Sequence, residues 1–424
     1  MHFVKGLLLF LLIVIVIAAV VLGTSYVYLV RRPFPRIDGD VQIPGLQAHV
    51  TVIRDQNGIP HIYAANTHDL FMAQGYVQAQ DRLWQMTSQS IATAGRSAEL
   101  GPTTANLEQD KFLRTLGWRR AAQVDYEALT ADEQAILQAY AAGVNAFVDT
   151  HANSLPIEFA IVGLFSGKGL NFKPDPWQPS DTLQWAKAMA WSLGGNWETE
   201  IARAKLVEQF GAEKASALYA DLVPPYDYKQ MPAIVPAGVS YQDAPLDAVL
   251  GLRKLDNIVG LRGSDVGSNN WTINGSRTTT GKPLLANDPH LGIQMPSIWY
   301  FNSLHCLPVS AECPYDVTGA SFAGMPGVVI GHNARIAWGV TNVGPDVEDL
   351  FLEKITGNQY EHRGRRINLT ITPETMIIRG KLPADYKPSP NETSRYDEGS
   401  NTTTITLSVR STVHGPLISD VNAR

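Results

Sequence analysis

The sequence predicts an α+β body carried behind one N-terminal membrane helix. Three observations lead there. The run from Gly6 to Val30 holds no charged residue. Between Asp69 and Phe210 apolar residues recur at helical spacing. From Trp271 onward, short alternating segments set off by turn residues take over. Helices in the first half and strands in the second are the pattern of a layered α+β body. At about 1.5 Å per residue the uncharged run spans roughly 37 Å as a helix, enough for a bilayer core of about 30 Å. Val21-Leu22-Gly23 offers a small-residue cleavage site, but the run is longer than a signal-peptide core, which favours an uncleaved anchor. Lys5 precedes the run and Arg31, Arg32 and Arg36 follow it. Counted alone, these charges place the body in the cytoplasm.

Composition bounds the rest. With 45% hydrophobic and 17% charged residues the chain is globular. The roughly 390 residues beyond the anchor suffice for a large core or two to three domains. A net charge of −6 with no basic cluster outside the membrane flank excludes nucleic acid as a partner. The two cysteines, Cys306 and Cys313, form either a small loop disulfide in an exported body or two free thiols.

In chain order, Pro33 to Gly45 is a tether rich in proline and glycine. His49–Arg54 and Pro60–Ala64 predict two strands around an Asp55-Gln56-Asn57-Gly58 turn. A helix begins at Asp69 and stops near Gly95 or Gly101, with Asp81 and Arg82 expected in salt bridges. Thr130 and Glu133 form a capping box before the stripe Ile136, Leu137, Tyr140, Val144 and Phe147. Further helices run from Ser180 through Trp191 and from Glu198 to Phe210, the latter closed by Gly211. Residues 232–267 have weak periodicity and suit a connecting segment. The predicted strands are Trp271–Asn274, Pro283–Asn287, Tyr315–Gly319, Val328–His332, Ile336–Thr341, Asp349–Ile355 and Thr404–Val409.

The chemistry concentrates at Gly267–Ser268, where the loop Leu261–Gly267, with two glycines and two charges, meets the strand of Trp271 and Ile273. Cleavage of that bond would give Ser268 both a hydroxyl and an α-amine with a pKa near roughly 7.7–8.0. Nucleophile and base would then be one residue. Competing motifs are absent: no Ser-x-x-Lys, no His-Glu-x-x-His and no phosphate loop occurs. Gly319-Ala320-Ser321-Phe322-Ala323 is only a degenerate nucleophile elbow, because Gly324, Pro326 and Gly327 follow in place of a helix.

Ser268-Asn269-Asn270-Trp271, Gly275-Ser276-Arg277-Thr278 and Gly281 through Leu291 closely resemble the start of the β chain in penicillin acylases, which are N-terminal nucleophile hydrolases. Tyr315–Gly319, Gly331-His332-Asn333, Ala337–Asn342 and Asp346–Phe351 extend the match. Gly75–Met86 and Gly95–Gly101 resemble the α chain. The resemblance implies a four-layer αββα sandwich whose α and β chains come from one precursor cut at Gly267–Ser268. It implies that Ser268 is the nucleophile and that the backbone N–H of Asn342 is an oxyanion donor. His290 falls where the family carries Gln or His, to orient the α-amine or contribute a backbone group. Leu291, Ile330 and Val340 match acyl-pocket positions, and all are aliphatic. Asp346, Asp349, the Glu348 carbonyl and Glu200 match the ligands of a structural calcium, which takes six to eight oxygens. The substrate implied is an N-acyl amide, penicillin-like or acyl-homoserine-lactone-like, and the body is exported. The segments are then 1–36 anchor, 37–235 α-chain region, 236–267 spacer and 268–424 β-chain region. The family's β chain runs far past the equivalent of Arg424, so the sequence reads as a fragment expected to be inactive or poorly soluble alone. A truncated, inactive relative serving as a membrane-tethered binding protein is the alternative function.

Overall fold

The computed structural model describes residues 2–170, 172–211, 213–215, 217–218, 244–255, 267–342 and 348–421. Helix α1 (His2–Tyr26) runs on through a π-helical turn to Arg31. The body divides into two compact units. The first comprises Met1–Ser88, Ala128–Thr182 and Met295–Trp338. The second comprises Gln89–Glu127, Leu183–Gln294 and Gly339–Arg424.

The first unit is built on a six-stranded sheet in the order β1-β2-β5-β6-β7-β8. Its strands are β1 (Thr51–Arg54), β2 (Pro60–Ala64), β5 (Trp299–Cys306), β6 (Asp316–Phe322), β7 (Ile330–Asn333) and β8 (Ala337–Trp338). β2 and β5 are parallel and the other neighbours antiparallel. The β1–β2 turn forms as expected. Asp55 accepts from the N–H groups of Asn57 and Ile59, and Gly58 takes φ +79°. One face of the sheet carries Ile62, Ala64, Leu304 and Cys306 into a core with Leu70, Phe71, Met72 and Val77 of α2 (Thr67–Thr93) and Ala139 of α5 (Ala131–Thr150). α2 and α5 touch backbone to backbone. A Cβ on Gly75 would stand 2.1 Å from the Tyr140 carbonyl oxygen, and one on Gly143 would stand 1.9 Å from that of Met72. α5 opens on the expected capping box of Thr130 and Glu133. Cys306 and Cys313 form a disulfide, buried in the same core.

Two glutamines of α2 hold the β6–β7 loop. Gln74 binds the N–H and C=O of Gly327, and Gln78 accepts from Gly324 N–H and Tyr140 Oη. Asp81 takes both guanidinium arms of Arg54 and the hydroxyl of Tyr300, as expected of a structural ion pair. Arg82 differs from expectation: it sits at a kink in α2 and donates to Gln85 and to the Ser297 carbonyl.

In the second unit α3 (Thr104–Leu116) packs Leu107 against Met376, Ile378 and Ile405 of a sheet ordered β12-β14-β13. Those strands are β12 (Thr370–Arg379), β13 (Glu392–Asp397) and β14 (Thr402–Thr412), the last with β15 (Gly415–Pro416) on it. A three-stranded sheet joins β9 (Ile355–Thr356), β10 (Gln359–His362) and β11 (Arg365–Asn368), and a hairpin joins β3 (Gly267–Ile273) to β4 (Leu284–His290). Among the described residues α4 (Trp118–Ala128), α7 (Pro179–Gly194) and α8 (Trp197–Phe210) complete the long helices, with α6 (Ile157–Ser166) in the first unit.

The segment predicted as strand at Asp349–Ile355 is irregular except at Ile355, because the Leu350 N–H goes to the Glu200 carboxylate and not to a ladder. The strand predicted over Ile336–Thr341 shrinks to Ala337–Trp338 for a similar reason given below. Of the expected connecting segment, residues 244–255 form a helix, Leu246–Leu250, and a 3-10 turn, with Val249 and Leu252 buried.

Candidate active site

β3 begins at Gly267, so Ser268 lies within the strand and not at its edge. Gly267 faces His290 and Ser268 faces Pro289 across the antiparallel pair. Proline lacks an N–H and cannot bond the Ser268 carbonyl. That oxygen instead accepts from Thr341 Oγ1 at 3.1 Å. The 340–341 backbone is drawn there by Asn287 of β4, whose Oδ1 accepts from Val340 N–H at 3.1 Å. Its Nδ2 donates to the Val340 carbonyl at 2.8 Å and to the Asn269 carbonyl at 3.3 Å. One amide side chain thus reproduces both bonds of a ladder rung. This is why the chain stops pairing as strand after Trp338 yet stays fixed beside the hairpin. Gly339 leaves the room, since a Cβ there would meet the Asn287 side chain at 2.7 Å.

Asn342 follows directly, its side-chain amide donating to the Leu193 carbonyl in the last turn of α7. The segment carrying the expected oxyanion N–H is therefore pinned on both sides, by Thr341 to Ser268 and by Asn342 to α7. His290 ends β4, and its Nε2 lies 2.8 Å from Asp288 Oδ2, a partner not anticipated from the sequence. Leu291 is half-buried and Val340 exposed beside the hairpin, while Ile330 lies half-buried on β7 of the first unit. The weak elbow is closed to chemistry: Ser321 is fully buried on β6 and donates to the Met325 carbonyl.

Of the expected calcium ligands, Glu200 stands buried in the first turn of α8 and accepts the Leu350 N–H at 2.7 Å. This brings it to the segment of Glu348, half-buried, and Asp349, exposed. Asp346 lies outside the described residues. Among the described residues no three carboxylate, histidine or cysteine side chains converge on one point.

Asn287 and Thr341 were not singled out in the sequence. The signal was present for Asn287, since asparagine is depleted in strands and one inside a strand needs a side-chain role.

The family model described as penicillin amidase matches residues 49–424. An acyl-homoserine lactone acylase, QuiP, of Pseudomonas aeruginosa is 34% identical over 369 residues, 82% of this chain and 40% of that one. A penicillin acylase 2 proenzyme of Pseudomonas sp. is 34% identical over 78% of this chain and 42% of its own length. The penicillin G acylase of Escherichia coli is 28% identical over 78% and 44%. Among solved structures, a thermostable penicillin G acylase from Alcaligenes faecalis aligns at 30% identity and TM-score 0.36 over 45% of this chain and 98% of that one. The chain spans about two fifths of the length of the curated relatives it matches.

Proposed function

The chain belongs to the penicillin amidase family, and on that premise we propose that it carries the nucleophile of an amidohydrolase that activates itself at Gly267–Ser268. Ser268 Oγ attacks the Gly267 carbonyl carbon, the peptide nitrogen leaves as the α-amine of Ser268, and water hydrolyses the resulting ester. The freed amine then takes the Oγ proton as Oγ attacks the carbonyl of an N-acyl amide. The substrate amine departs with that proton, and water releases the acid from the acyl-enzyme. The main-chain N–H of Asn342 is assigned to the oxyanion; loss of one such donor costs about 10²–10³ in rate. His290, held by Asp288, orients the amine. Leu291 and Val340, both of the second unit, are assigned to an apolar acyl group, as in a penicillin or an acyl-homoserine lactone. What supports this reading most is the Thr341–Ser268 bond together with the Asn287 clamp, which set the serine beside the segment of Asn342.

The test is a denaturing gel with N-terminal sequencing of each band. The expressed chain should give two bands, one beginning Ser-Asn-Asn-Trp. Ser268→Ala should give one, and Asn287→Ala should be cut far more slowly. A chain that stays uncut, or a Ser268→Ala chain that is cut, sinks the proposal.

Calcium is assigned to Glu200, Asp346, Asp349 and the Glu348 carbonyl, oxygen donors that suit a hard cation. Bound there, it would cross-link α8 to the 346–349 segment. A chelator should then lower the melting temperature, and an unchanged one removes the assignment. We also assign α1 to a membrane and the body to its outer side. The helix, with its turn, has a mean hydropathy of 3.3 over its best window, and none of that window is buried. The Cys306–Cys313 disulfide favours an oxidising compartment.

A further inference from the structure

Beyond Glu158 in its first turn, helix α6 is apolar on both faces. Its inner face, Phe159, Gly163 and Ser166, is buried. Its outer face is not: Ile161, Leu164 and Phe165 are 45%, 59% and 84% exposed, and Leu170 beyond the left-handed Gly167 is 57% exposed. No charge occurs between Phe159 and Gly167. A helix stretch apolar all round suits an apolar medium, and a contiguous exposed apolar patch marks an interaction surface.

The position of the patch identifies that medium. Tyr28, Leu29 and Pro33, where α1 gives way to the body, line a cavity of about 50 Å³ together with Ile157, Ala160 and Leu170. Leu29, Val30 and Pro33 are half-buried there, whereas α1 is exposed from Val4 through Tyr26. The patch therefore stands where the long apolar helix ends. Arg31 and Arg32 close the turn after α1 and Lys168 follows α6 directly, while Glu158 in the first turn of α6 is the one acid of that helix. Arg32 lies over the Tyr28 ring and Lys168 over the Phe172 ring. Aromatic rings and long basic side chains are the groups enriched at the membrane–water boundary, where cations meet anionic headgroups.

We propose that α6 and the turn to Leu170 insert into the headgroup boundary of the same bilayer that α1 spans, as a second, monotopic contact. The inference rests on α1 lying in a membrane. It goes further, because a body held at two points cannot swing freely on the tether of Pro33 to Gly45.

Both native cysteines are in the disulfide, so single introduced cysteines can be labelled specifically. The full chain is placed in phosphatidylcholine–phosphatidylglycerol vesicles with an environment-sensitive fluorophore at Val20→Cys or at Phe165→Cys. Each label is titrated with nitroxide lipid and with aqueous iodide. Both should be quenched by the lipid and shielded from iodide, and adding Leu164→Asp should reverse this at position 165 alone. Quenching at 20 with iodide access at 165 overturns the second contact and leaves the anchor standing. Iodide access at both positions overturns the anchor and the inference together.

Discussion

At the scale of single residues, two side chains substitute for backbone. Asn287 completes a rung that the 340–341 segment cannot make with β4, and it does so with an amide that donates and accepts at once. Asp69 performs the same service at the entry to α2. Its buried carboxylate accepts from the N–H groups of Gln47 and Ala48, from Asn66 Nδ2, and from the ring of His68, fastening the end of the tether to the first helical turn. Burial alone would push its pKa up, but these donors together hold it below the ordinary 3.8. A carboxylate depressed in the folded state stabilises fully above its unfolded pKa and loses that contribution as pH falls through the folded value. Asp69→Asn should therefore cost about 1–3 kcal/mol near neutrality, the range for unpairing buried donors. The gap between the two proteins' melting temperatures should narrow once the pH drops below 3.8. Thermal unfolding across pH checks this, and a gap that stays constant into acid removes the charge from the explanation.

At the scale of elements, close approach matters more than periodicity. α2 and α5 pack at a distance that only glycine permits at positions 75 and 143. A methyl at Gly143 would press on the Met72 carbonyl and the Tyr76 backbone, neither of which can rotate away. Gly143→Ala should cost at least about 1–3 kcal/mol as overpacking, despite alanine's better helix propensity. Chemical denaturation measures it, and a stabilised variant would mean the two helices are not in contact. Such contacts explain what was legible in the sequence. α5 announced itself through its cap and stripe, and α2, α7 and α8 through their spacing. α3 was missed because its buried side includes Asp110 and Lys111, which read as solvent-facing until Ser97, Ala98 and Glu392 are seen to meet them. α6 was missed because an apolar run without a polar face has no helical signature. β5 was missed because Asn302, Ser303 and His305 interrupt its alternation. At the candidate site, Ser268 and Asn342 could be singled out because each sits in a contiguous motif. The Asn287 clamp was not, because its partner lies 53 residues further on.

At the scale of the whole molecule, one question is which side of a membrane the body folds on. The arginines at 31, 32 and 36 argue for the cytoplasm, and the disulfide argues against it. The disulfide can decide, because its sulfurs belong to a core that closes around them. Cys306 and Cys313 are 1% and 0% exposed, so a thiol reagent reaches them only when the first unit opens. A body folded in an oxidising compartment should hold the bridge quantitatively. One folded among reducing thiols should lack it and forgo about 2–3 kcal/mol, the chain-entropy value for so short a loop. The measurement is to isolate membranes, denature them in the presence of an alkylating reagent, and weigh the protein. An unmodified mass is expected, rising by two alkyl groups only after reduction. Two groups added without reduction would place the body on the reducing side. The charge count would then decide the orientation.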